Sequence, residues 1–142
     1  LNVNKLGATC DRFHRDYYGR MPDVINAGDR SDRLVVRWSL DPGEPVAPAI
    51  PEHARLIVRS DGVVEAPVPE VVGGPDREEV VGVQVPRDHA SLRAADPELG
   101  ASWREAVGTS LAACFAAGLV VVAFDDDPLG GRPTYFLAKE EP

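Results

Sequence analysis

The sequence predicts an α+β protein with mostly antiparallel strands. Three observations carry this. Short β-branched runs recur between Gly, Pro and Asp turn signals. An Asp61-Gly62 pair stands between two such runs. One long segment, 97–117, carries apolar residues at helical spacing. Of the 142 residues 44% are hydrophobic and 27% charged, enough apolar side chain for a modest core.

In chain order, LNVNKLG (1–7) reads as the last turns of a helix, with Lys5 near its negative end and Gly7 at the C′ position. No N-cap precedes it, so the helix is expected to begin before Leu1. ATCDRFHRDYY (8–18) follows as a polar-rich strand. Residues 19–32 hold Gly19, Pro22, Asn26, Gly28 and Asp29 and read as a long loop. RLVVRWSL (33–40) alternates Leu34, Val36, Trp38 and Leu40 with Val35, Arg37 and Ser39, the pattern of a half-buried strand.

DPGEPVAPAIPEH (41–53) contains four prolines in thirteen residues and excludes helix or central strand. It is read as a linker that divides an N-terminal piece, 1–40, from a C-terminal module, 54–142. The module opens on a hairpin about Asp61-Gly62, since a type I′ turn needs positive φ at both central positions. VVGVQVP (80–86) is a further strand, and Asp88 caps a short helix through Ala95.

Asp96-Pro97 then supplies an N-cap and first helical residue. From there Trp103, Ala106, Val107, Ser110, Leu111, Cys114 and Phe115 form one stripe, and Gly118 ends it. Trp103, Val107, Leu111, Cys114 and Phe115 are expected to be buried, and Trp38 at least partly. LVVVAF (119–124) is a buried strand, DDDPLGGRP a turn, and TYFLA (134–138) a last strand. The module should pack its helix on a small sheet.

Charge narrows the partners. The formal net charge is -8. Residues 1–40 hold seven Lys/Arg and five Asp/Glu, and the remainder hold eight and eighteen. The acidic part disfavours nucleic acid. No apolar run approaches the ~18 residues of a membrane span. Cys10 and Cys114 are far apart, with no C-x-x-C, which reads as reduced, buried thiols in a cytoplasmic setting. His14, His53 and His89 lack a partner at ligand spacing, so no zinc site is expected. Asp125, Asp126 and Asp127 point different ways in a turn and do not form a cation loop. G-x-S-x-G, P-loop and G-x-G-x-x-G patterns do not occur.

The remaining concentration of functional groups is DYYGRMPDVINAGDRSDR (16–33). Tyr17 and Tyr18 offer hydroxyls that can act as a general acid or hold a substrate. Asn26, Asp32 and Arg33 are candidates for substrate binding, Arg33 through bidentate contact with a carboxylate or phosphate. The alternatives are a core role for either tyrosine and a local Asp32–Arg33 ion pair.

NVNKLGA (2–8), YYGRM (17–21) and NAGDRSDRLVVRW (26–38) together resemble the end of the last core helix and the following strands of GNAT-superfamily N-acetyltransferases. ADPELGASWREAVGTSLAACFAAG (95–118) and YFLAKE (135–140) are similar to the C-terminal extension of one subgroup. The resemblance implies an acyl-CoA-dependent N-acyltransferase acting on a small-molecule or peptide amine, with acetyl-CoA as cofactor and Asn2 on the cofactor side. It also implies that the CoA pyrophosphate loop, R/Q-x-x-G-x-G/A, lies outside these residues, in preceding sequence or a second chain. The tyrosine that protonates the leaving thiolate in many members falls at Val3. Tyr17 or Tyr18, water, or a loss of acetylation are the open alternatives. Two other readings are a non-catalytic GNAT-like binding or scaffolding module, and a domain in which 54–142 completes a homodimer.

Overall fold

β-branched runs become strands and the capped apolar stripe becomes a helix. A computed structural model describes residues 8–15, 32–37, 49–61, 67–126 and 132–140. Strands β1 (Thr9–His14), β2 (Arg33–Arg37), β3 (Arg55–Asp61), β4 (Val68–Val71) and β5 (Val81–Gln84) precede helices α1 (His89–Ala95) and α2 (Pro97–Ala116). Strands β6 (Leu119–Asp125) and β7 (Thr134–Lys139) follow. All seven form one sheet in the order β2-β1-β6-β7-β5-β3-β4. Every pair is antiparallel except β3 with β5.

β1 pairs with β6 through Cys10 and Val121. Strands from both sides of the proline-rich stretch therefore share a sheet. β1 and β2 extend the sheet of the C-terminal residues instead of standing apart from it. The hairpin expected about Asp61-Gly62 forms as β3–β4, but not with a two-residue turn. Asp61 pairs with Val68, so six residues connect the strands. The register sets Val58 opposite Val71, and both Val68 and Val71 stay exposed at this sheet edge. In β1 the strand ends at His14, and Arg15 begins a turn. β2 covers Arg33–Arg37 only; Trp38, Ser39 and Leu40 lie outside the described residues. Leu34, Val35 and Val36 are all half-buried, so the expected in-out alternation is blurred at this edge strand.

The helix signals act as local chemistry requires. The Asp88 side chain accepts from Ser91 N–H and caps α1. The Asp96 side chain accepts from Leu99 N–H, and Pro97 holds the first helical position of α2. At the far end Gly118 takes φ +85°, and its N–H donates to the carbonyl of Phe115. Gly100 lies under α1, where an added Cβ would come within 2.9 Å of Arg93 Cβ and 3.0 Å of its Cα. The two helices approach closely because that residue has no side chain.

α2 lies across one face of the sheet, touching β1, β3, β4, β5 and β6. Trp103, Leu111 and Cys114 are fully buried beneath it. Val107 and Phe115, also expected to be buried, are only half-buried. The core continues through Ile57, Val58, Val81, Val83, Leu119, Val121 and Leu137. The Trp103 indole N–H donates to the Pro67 carbonyl at 2.8 Å, fixing α2 to the start of β4. At the opposite edge Arg15 reaches Glu105 at 3.1 Å and Thr109 at 2.8 Å, joining the end of β1 to α2.

Candidate functional site

A cavity of about 470 Å³ opens between the β1–β2 edge, α2, α1 and the chain that leaves β5. Its size falls in the range of small-molecule sites. β1 contributes Cys10 and Phe13; the 32–36 segment contributes Asp32, Arg33, Leu34 and Val36. α2 supplies Trp103, Arg104, Val107 and Leu111 from successive turns, as residues three and four apart share a helix face. Val85 and Pro86 close one side, α1 brings His89, and Tyr135 of β7 stands at the floor.

The polar groups gather at one end. Arg104 Nε lies 3.8 Å from Asp32 Oδ2, and both side chains are largely buried, 18% and 11% exposed. Arg104 Nη2 lies 3.4 Å from His89 Nε2. A guanidinium can only donate, so this contact places the acceptor at Nε2 and the proton of the neutral ring on Nδ1. Arg33 Nη1 donates to the Asp32 carbonyl at 2.9 Å. The rest of the wall is apolar.

Burial shapes the titration of these groups. Burial first, and then the charge of Arg93, lowers the His89 pKa below its ordinary value of 6.5, so its imidazole is neutral at pH 7. Burial also lowers the Arg104 pKa from its ordinary value, although a guanidinium stays charged at neutral pH. Cys10 is pushed up to about 11 by burial and, secondarily, by Asp11, which keeps it a thiol. Burial raises Tyr135 as well, and its ring lies tilted against Phe124, the centroids 4.6 Å apart. At neutral pH the cavity thus presents a neutral imidazole and no thiolate nucleophile.

Of the residues expected from sequence, Asp32 and Arg33 are brought to this cavity. Asn2, Val3, Tyr17, Tyr18 and Asn26 lie outside the described residues. Arg104, His89, Trp103 and Tyr135 were not anticipated as site residues. Arg104 carried a legible signal, since it shares a helix face with Val107 and Leu111, and a charge bordering an apolar stripe needs a reason. His89 carried none, because its neighbour Arg104 is fifteen residues away in sequence. Among the described residues no three His, Cys, Asp or Glu side chains converge as a metal site. Among the same residues no helix is long and apolar enough to cross a membrane.

Compared with protein-family models, with curated proteins and with solved structures, the chain finds no match.

Proposed function

We propose that the chain supplies the acceptor side of an acyl-CoA-dependent N-acyltransferase, its cavity receiving the amine substrate. The observation that carries this reading is the position of Asp32 and Arg33. They belong to NAGDRSDRLVVRW, one of the runs that together resemble GNAT enzymes, and they line the cavity. Asp32 offers a largely buried carboxylate that can hold an ammonium group, and the apolar walls can hold the remainder of the molecule. Tyr17 and Tyr18 precede that run and stay the candidates for proton donation to the leaving thiolate.

The described residues do not fit the CoA pyrophosphate. That group is bound by free N–H groups at a helix N-terminus, and here the N-termini of α1 and α2 are capped by the carboxylates of Asp88 and Asp96. The reading therefore requires a CoA site built from other residues, and no step through the thioester is derived from the cavity. Its test is calorimetry with acetyl-CoA on the natural full-length polypeptide, together with thiol release over a broad amine panel. Binding with turnover is expected. No binding at millimolar acetyl-CoA would overturn it.

A second reading, a non-catalytic GNAT-like binding module, is favoured by Val3 at the position of the usual tyrosine. CoA binding without turnover on any amine would select it.

A further inference from the structure

A β-bulge sets the wall that β1 and β2 give the cavity. Cys10 lies opposite Val36, but Arg12 lies opposite Val35 and Phe13 opposite Leu34, so Asp11 is an extra residue in β1. Cys10 and Phe13 are three residues apart and would point to opposite faces of a regular strand. The bulge brings both to the cavity, with their partners Val36 and Leu34. Phe13, Leu34, Val107 of α2 and Tyr135 of β7 line this space and are only half-buried. The charged groups at the polar end are engaged by the protein itself. Arg104 lies 3.8 Å from Asp32 and 3.4 Å from His89, and Arg33 donates to the Asp32 carbonyl. Asp32, Arg33, Arg104 and Arg93, whose charge acts on His89, have further interactions within the chain. A charged molecule would leave water for apolar walls and for charges that already have partners, a cost that a neutral one avoids.

We infer that the cavity binds a neutral, mostly apolar aromatic molecule against the bulge-built wall of Phe13 and Leu34, with Val107 and Tyr135 on its other sides. A dry cavity of about 150 Å³ takes up benzene. At about 470 Å³ this one has room for a fused-ring molecule. Aromatic contact with the rings of Phe13 and Tyr135 favours an arene over an aliphatic body. Such a site needs no acyl transfer; under that reading the same walls would take the body of the amine.

The test uses three probes with one ring system: 2-naphthol, neutral at pH 7, 2-naphthoate, an anion, and 2-naphthylmethylamine, a cation. Each is titrated calorimetrically into the full chain at pH 7 without acetyl-CoA. 2-Naphthol is expected to bind saturably, and both charged probes at least about 10-fold more weakly. Phe13→Leu keeps an apolar side chain without the ring and should weaken 2-naphthol about 2- to 10-fold, the worth of an aromatic pair. Val107→Trp places a large side chain in the cavity and should abolish binding. Leu34→Trp fills the same space from β2 and serves if Val107→Trp fails to fold by circular dichroism.

No saturable binding at millimolar 2-naphthol, a charged probe that binds as tightly, or an unchanged affinity in Phe13→Leu would overturn the inference. So would binding that survives in a folded filling variant, since it would place the probe elsewhere, for instance on the exposed Val68 and Val71 of β4. Because acetyl-CoA is absent, failure here is separable from failure of the acyl-transfer reading.

Discussion

Trp103→Phe should destabilise the protein by about 2–4 kcal/mol, a sum of two effects. The indole N–H donates to the Pro67 carbonyl at 2.8 Å, and both residues are buried. Phenylalanine leaves that carbonyl without its donor, and an unsatisfied buried acceptor costs about 1–3 kcal/mol. Phenylalanine also gives up roughly 50 Å² of apolar ring surface, worth about 1 kcal/mol at about 25 cal/mol per Å². Trp103 is completely buried and lines the cavity, so the surrounding side chains have open space on one side and gain little by collapsing. Urea unfolding followed by far-ultraviolet circular dichroism reads the loss. With a slope of about 2 kcal/mol per molar the midpoint should fall by about 1–2 M at unchanged slope. A loss below about 1 kcal/mol would refute the reasoning, because it would mean that the indole neither donates to Pro67 nor fills the space beneath α2.

Gly118→Ala should destabilise by about 1–2 kcal/mol, the penalty for an L side chain in the left-handed region. Gly118 sits at φ +85°, and its nearest neighbours, atoms of Arg77, lie 3.9 Å or more from the added Cβ, so the backbone term acts alone. A neutral or stabilising result in the same unfolding assay would show that residue 118 is not held in the left-handed region. Cys10 and Cys114 are each raised by burial from 9.0 to about 11. The folded state retains these protons after the unfolded state has lost them. The contribution of each thiol is therefore complete below pH 9 and is lost as pH rises through 11, about 2–3 kcal/mol per group. The urea midpoint should fall between pH 8 and pH 10.5, less so in the Cys10→Ala/Cys114→Ala double variant. Iodoacetamide at pH 8 should label neither thiol until urea is added, and rapid labelling of the native protein would contradict the burial.

Local features of the fold were legible in the sequence because their causes are local. Asp88, Asp96, Pro97 and Gly118 mark helix ends through contacts within one turn, and each acts where the sequence places it. The β-branched run at 119–124 is a strand wherever it packs. The tight hairpin at Asp61-Gly62 did not form because the strand register, with Asp61 opposite Val68, sets a longer connection than turn chemistry alone suggests. Val107 is half-buried because it faces the cavity, which spacing along one helix does not encode.

The candidate site divides in the same way. Asp32 and Arg33 stood out by composition, in a loop-to-strand run dense in functional side chains. Sequence alone determined the strands, the capped helices and this cluster, since each follows from propensity and near neighbours. Only the tertiary structure decided that β1 joins β6, so that residues on both sides of four prolines share one sheet. That pairing carries Asp32 to Arg104, and α1 brings His89 to the same guanidinium. Contacts between residues this far apart depend on sheet order and helix placement, which are set by burial of the whole core and not by any segment of the chain.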